Sequence, residues 1–297
     1  MSIKKERTFG FFVDKFFKSH KIEFSFKILM NIQGGIMKIL ASVKQVYEEI
    51  PLTEPEILKK NFIKNESDLG YKINRFDDHA LEEALILKES LKNTTVHTVT
   101  AGIESASQIL KKTIGKGADK AFHILTDSEK TNDPGCVSEA VKHVFEQNNY
   151  DLIFFGMMSE DIMNSVTGAM TAAKLNIPFL SGVTEIKEIK EKSIIVKNEL
   201  EGGVKRTCEI ALPCALSFQA GINKPGYPNV LKMLKADENT IVRINYDKIE
   251  SLTMNSEVKD LKLPLKTRKG EFIEGNSEEK VKAFIEILKK RKILQEK

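Results

Sequence analysis

Between residues 39 and 175 the chain alternates short apolar runs with longer amphipathic stretches. Ile39-Leu40-Ala41-Ser42-Val43, 96–100, 121–125 and 151–155 are continuous apolar segments, the pattern of strands buried on both faces. Between them, apolar positions recur at helical spacing. This predicts helices over 79–92, capped by Asp77 or Asp78; over 105–114, ended by Gly115 and Gly117; over 136–147; and over 166–175, stopped before Pro178. Residues 48–72, polar with Pro51 and Pro55, read as a long excursion. Strand and helix alternating through short loops predict an α/β fold with a doubly wound, mostly parallel, Rossmann-like sheet between helical layers.

The period then changes. Residues 183–189 and 193–199 alternate apolar and polar across the turn Lys190-Glu191-Lys192, which predicts a hairpin. Glu201-Gly202-Gly203 is a second turn, leading into strands over 205–212 and 213–218, and this antiparallel part extends the sheet at one edge. After Ala220 the chain is irregular around Pro225-Gly226 and Pro228, before a short basic helix over 230–234. Residues 251–276 read as an extended arm. Residues 278–292 carry Val281, Phe284, Ile285 and Leu288 on one helical face, as a docking element would. The division is thus a non-conforming extension over 1–36, an α/β domain over 37–250, and an arm plus helix over 251–297.

Charge and cysteine usage narrow the function. The net charge of +4 sits wholly in residues 1–36, which hold seven Lys/Arg and three Asp/Glu; residues 37–297 hold 39 of each sign. A nucleic-acid-binding body would carry a basic stripe, so none is expected to bind. No run approaches the ~20 apolar residues of a membrane span. The three cysteines form no CxxC and the five histidines no HxxxH, so no metal site is expected and the setting is a reducing cytoplasm.

Residues 1–36 also hold seven of the 17 phenylalanines. They read either as a basic amphipathic surface segment or as a translated AT-rich leader. On the second reading Gln33-Gly34-Gly35-Ile36-Met37 back-translates to CAAGGAGGAATTATG, a ribosome-binding site before a start at Met37.

The stretch carrying candidate chemistry is Gly156 to Gly168, GMMSEDIMNSVTG, directly after an apolar strand and before a helix. Such a corner presents unpaired amides and the positive end of a helix to an anion. It has neither GxGxxG spacing nor a Walker lysine, and it is equally a corner with a solvated acidic pair, Glu160 and Asp161. No paired carboxylates, Ser/His/Asp set or Cys/His set stands out, which fits a carrier rather than a catalyst of bond rearrangement.

In order along the chain, Met37-Lys38-Ile39-Leu40-Ala41-Ser42-Val43-Lys44, Ile73-Asn74-Arg75-Phe76-Asp77-Asp78-His79-Ala80, LKKTIGKGAD ending at Asp119, the 196–213 stretch around Glu201-Gly202-Gly203, and YPNVLKMLKA starting at Tyr227 resemble the beta subunit of electron transfer flavoprotein over nearly all of 37–294. The resemblance implies an adenine nucleotide alpha hydrolase-like three-layer αβα fold. It also implies an alpha-subunit partner, an FAD shared with that subunit, and electrons received from dehydrogenases such as acyl-CoA dehydrogenases. Carried over by position, it places a nucleotide, AMP or a second FAD, on Ser42, Asn74, Arg75, Phe76, Asp77, Ala101, Gly156, Met157, Met158, Ser159, Glu160, Asp161, Ile162, Met163, Asn164, Ser165, Val166 and Thr167. Partner recognition falls on the loop 223–236, at Tyr227, Val230, Leu231 and Met233.

The chain departs from the family where Met157 and Met158 replace basic and amide residues, Asn198 and Lys205 alter the hairpin, and Gly226 replaces an Arg. The alternatives are a stand-alone adenine-nucleotide sensor and an electron-bifurcating carrier with a second FAD.

Overall fold

The computed structural model describes residues 29–31, 37–48, 58–59, 62–63, 70–91, 93–249, 256, 270 and 272–294. In chain order the elements are β1 (Leu29–Asn31), β2 (Met37–Ser42), β3 (Gln45–Tyr47), β4 (Leu58–Lys59), β5 (Phe62–Ile63), β6 (Tyr71–Ile73), α1 (Arg75–Ser90), β7 (Thr94–Gly102), α2 (Ser107–Lys116), β8 (Lys120–Leu125), α3 (Ser128–Asn132), α4 (Pro134–Asn148), β9 (Leu152–Gly156), α5 (Thr167–Leu175), β10 (Phe179–Lys190), β11 (Ser193–Glu199), β12 (Lys205–Ala211), β13 (Cys214–Phe218), α6 (Val230–Leu234), β14 (Ile241–Asn245) and α7 (Ser277–Lys290).

One ten-stranded sheet runs β12-β11-β10-β13-β9-β2-β7-β8-β14, with β1 lying parallel beside the far end of β10. The pairs from β10–β13 across to β8–β14 are parallel; β10–β11 and β11–β12 are antiparallel. Side chains of the central strands leave the sheet alternately. Ile39, Ala41, Leu152, Phe154, Leu216 and Phe218 pack with α1, whereas Leu40, Ile153, Phe155 and Ala215 pack with α4. A third cluster seats α2 through Ile109, Leu110 and Ile114. The result is the expected α/β fold of three layers.

Several expectations are corrected. Helix α1 starts four residues early: Asn74 is its N-cap, and Asp77 and Asp78 lie inside the first turn. Gly115 stays helical, and α2 ends on Gly117 at φ 127°. Strand β13, expected in the antiparallel edge, instead lies parallel between β9 and β10 in the middle of the sheet. Strand β14, unforeseen in the irregular stretch, closes the opposite edge against β8. Cys136 and Cys214 are buried and Cys208 is half-buried, all as free thiols.

Of the extension 1–36 the described residues comprise β1 alone, so the amphipathic and leader readings lie outside them. Most of the excursion 48–72 and of the arm 251–276 lies outside them as well. From the arm, Ser256 donates through N and Oγ to Asp133 Oδ2, each at 2.8 Å. Helix α7 opens with a capping box of Asn276 and Glu279, yet none of its residues is buried. Among the described residues no helix is long and apolar enough to cross a membrane.

Candidate functional site

The sheet order reverses at β2 and β9. Later strands leave β2 toward β7 and β8, and leave β9 toward β13 and β10. Ligands of doubly wound sheets bind in the crevice this reversal opens at the carboxyl ends of the strands. A cleft of about 780 Å³, counting its solvent-open mouth, lies there. Ser42 at the end of β2, Lys44 just beyond it, Ala101 of β7, Gly156 of β9 and Ser217 of β13 form its floor, and α5 enters it N-terminus first.

Of the residues assigned from sequence, Ser42, Asn74, Asp77, Ala101, Gly156, Met157, Met158, Ser159, Ile162, Asn164, Ser165, Val166 and Thr167 line this cleft. Arg75, Phe76, Glu160, Asp161 and Met163 lie outside its lining. Sequence reasoning missed Lys44, Thr131, Asn132, Pro134 and Val137. The last four occupy the corner after β8, whose carboxyl end a parallel sheet necessarily brings to the same rim; the Asp133-Pro134 helix start was the available signal.

The acidic and amide residues brace the backbone. Asp77 is buried in the first turn of α1, and its two carboxylate oxygens accept the amides of Lys44 at 2.8 Å and Gly156 at 3.0 Å, joining the ends of β2 and β9. Burial pushes its carboxyl up to about 7, against the pull of those bonds and of Asn74. Gly156 is obligatory here, because a Cβ would meet the Asp77 amide nitrogen at 2.6 Å and the Phe76 carbonyl carbon at 2.7 Å. Asn74, also buried, donates to Met158 O at 2.8 Å and accepts from the Glu160 amide at 3.0 Å. Glu160 in turn pairs with Lys72 at 3.2 Å and accepts the Arg75 amide. The loop that looked like an acidic surface corner is thus tied down at 158–160 by α1 and β6.

Beyond Glu160 the loop is exposed, and it passes through left-handed conformations at Met163 and Ser165, both at φ 55°. It delivers the chain to α5, whose N-cap position, Val166, makes no side-chain cap. The first-turn amides of α5 therefore lack both intrahelical and capping acceptors where they line the cleft. Ser165, Thr167, Asn164 and Asn132 add polar atoms, and Met157, Met158, Ile162, Phe155 and Phe179 add apolar wall. An uncapped helix end facing mixed apolar and hydroxyl or amide walls fits a phosphate attached to a flat, largely apolar group, which is the chemistry of an adenine nucleotide. Among the described residues no group of three or more His, Cys, Asp or Glu side chains could hold a metal ion.

A second feature is held by residues further along α1. Loop 221–229 is anchored by Asn223, which donates to His79 O at 2.9 Å and Glu83 Oε2 at 3.0 Å, and by Gly226, whose amide meets Glu82 at 2.9 Å. Tyr227 is 98% exposed, and Val230, Leu231 and Leu234 are exposed as well. Met233, grouped with them from sequence, is half-buried and packs with Pro228 against Gly115 of α2. It fastens the segment to the body, while Tyr227, Val230 and Leu231 form its outward surface.

The family described as "Electron transfer flavoprotein domain" matches residues 62–248. An "Electron transfer flavoprotein subunit beta" of Methylophilus methylotrophus is 31% identical over 263 residues, 85% of this chain and 98% of its own. The protein of the same description from Bacillus subtilis is 26% identical over 258 residues, with the same shares. A "Probable electron transfer flavoprotein subunit beta" of Schizosaccharomyces pombe is 33% identical over 205 residues, 67% of this chain and 78% of its own.

Proposed function

This chain belongs to the electron transfer flavoprotein beta-subunit family, and from that premise we propose that it pairs with an alpha subunit around one shared FAD. In that heterodimer it accepts electrons from dehydrogenases of the acyl-CoA dehydrogenase type and hands them to a downstream acceptor. The observation that carries the pairing is α7: Val281, Phe284 and Ile285 are 57%, 53% and 40% exposed on a helix that buries nothing. An amphipathic helix of this kind gains stability by burying its apolar face on another surface. A solitary nucleotide sensor would have no use for it.

The flavin, when bound, supplies the redox chemistry. The chain's own residues orient and dock. Arg75 and Phe76, outside the cleft on the first turn of α1, face the alpha subunit's side of the site; Tyr227, Val230 and Leu231 meet the dehydrogenase. The cleft at the β2–β9 reversal holds an adenine nucleotide, with its phosphate at the first turn of α5 and its base between Met157, Met158 and Ile162. That nucleotide has a structural role, like a staple across the two halves of the sheet.

The test is co-expression with the alpha-type chain encoded nearest to it. The expected product is a yellow 1:1 complex that releases one FAD and one AMP on denaturation. A colourless protein that ignores the partner overturns the proposal. Two flavins per heterodimer would move it to the bifurcating type.

A further inference from the structure

The segment that carries Tyr227 is pinned from both sides. From α1, His79 Nε2 accepts the Gly221 amide at 3.3 Å, Asn223 bonds to His79 and Glu83, and Glu82 accepts the Gly226 amide at 2.9 Å. From α2, the Gly115 carbonyl accepts the Asn229 amide at 2.9 Å. Pro225 and Pro228, each with φ held by its ring, fall among these points. Tyr227, almost wholly exposed, thus stands on backbone that is fixed on either side of it.

Asn223 is the centre of this clamp. Its Nδ2 uses both hydrogens, one on the His79 carbonyl at 2.9 Å and one on Glu83 Oε2 at 3.0 Å. Turning the amide over would set Oδ1 against those two acceptors, so the side chain has one orientation. Its Oδ1 then lies 3.0 Å from His79 Nδ1. Because Nε2 of the same ring receives the Gly221 amide, the ring carries its hydrogen on Nδ1 and donates it to Asn223. His79 and Glu83 are both buried, so a mismatched group at 223 leaves polar atoms without protein or water to satisfy them.

We propose that Asn223 is a positioning residue for electron transfer from the donor dehydrogenase, and that His79 acts with it by fixing its amide. Together they hold the docking segment in its binding shape before the partner arrives. This rests on the reading of Tyr227, Val230 and Leu231 as the surface that meets the dehydrogenase. Asn223 acts through the backbone on which Tyr227 stands, not by touching the reacting groups. A loop already ordered loses little conformational entropy when the partner docks. Loss of the clamp therefore weakens association, while transfer within an assembled complex proceeds as before.

The experiment is steady-state electron transfer to the heterodimer from an acyl-CoA dehydrogenase of the same organism, with KM and kcat read separately. Asn223→Asp sets a carboxylate against the His79 carbonyl and Glu83; KM should rise about tenfold while kcat stays within about twofold. Adding Glu83→Gln to that variant supplies an amide hydrogen where the two oxygens meet, and should recover about threefold of the loss. Hydrogen exchange should quicken at the amides of Gly221 and Gly226 in Asn223→Asp and stay unchanged in β13, which separates a loosened loop from a damaged fold. Wild-type KM in Asn223→Asp, with KM raised in Tyr227→Ala, overturns the proposal and leaves the docking reading standing. A kcat that falls as far as KM rises, or no recovery in the double variant, also overturns the proposal. Wild-type KM in Tyr227→Ala, or a wild-type heterodimer that takes no electrons from the dehydrogenase, overturns the docking reading and this proposal with it.

Discussion

Asp77 Oδ1 accepts the amide hydrogen of Gly156 at 3.0 Å, joining two positions 79 residues apart. The other oxygen of the same carboxylate holds Lys44. One side chain in the first turn of α1 therefore sets the spacing of the two strand ends between which the cleft opens. Most of what can be tested about the site follows from this.

Gly156→Ala forces a methyl group into the backbone of Phe76 and Asp77, neither of which is a flexible chain end. The substitution should cost about 1–3 kcal/mol. Thermal unfolding of the variant should fall by several degrees, and nucleotide release should be faster.

Asp77 gives stability a distinct pH dependence. Its carboxyl rises from 3.8 to about 7 on folding. The protonated form is favoured in the folded state, so this contribution is fully present below pH 4 and is lost as pH rises through 7. The span of about three pH units corresponds to at most about 4 kcal/mol. Urea titrations of wild type and Asp77→Asn at pH 4.5, 6 and 8 should show the wild type losing ground to the variant as pH rises. Parallel curves would remove Asp77 from this role.

Asn74→Ala leaves the Met158 carbonyl and the Glu160 amide without their partner. About 2–3 kcal/mol should be lost. Hydrogen exchange should speed up at 158–161 more than in β9, because the strand keeps its ladder and the loop does not.

The segment after β13 should separate into two classes of residue. Tyr227→Ala and Leu231→Ala remove exposed side chains, so the melting temperature should stay within about a degree while the KM for the donor dehydrogenase rises. Met233→Ala opens a gap over Gly115, which should lower stability by about 1–2 kcal/mol as well.

Much of this architecture can be read from the chain because buried parallel strands and one-sided helices leave different periods, and β7, β8, β9 and α5 fall close to where those periods place them. The failures have physical causes. Strand β13 is a short apolar run, and a run buried on both faces looks the same whether its neighbours are parallel or antiparallel. Strand β14 is an edge strand whose Arg243 and Asn245 are exposed, so it lacks the apolar signature of an inner strand. At the site, position along the chain locates the loop but not the direction of its side chains. Asp77 and Glu160 read as ligand contacts, yet both turn their carboxylates onto backbone amides. Lys44 lies two residues past Ser42, and what marks it is its fixed backbone, which only the folded chain reveals.

The central position of β13 bears on how the protein is made. Strands β9 and β10 flank it, but both are synthesised before it, with the β11 and β12 ribbons in between. Until residue 218 has left the ribosome, the nascent chain presents two unsatisfied strand borders facing a gap in the middle of its sheet. Borders of that kind recruit strands from neighbouring chains. Release truncated just short of Cys214 should therefore give insoluble product, whereas chains ending after Asn245 can complete the sheet, so dependence on chaperones is concentrated in the interval of translation between these two points.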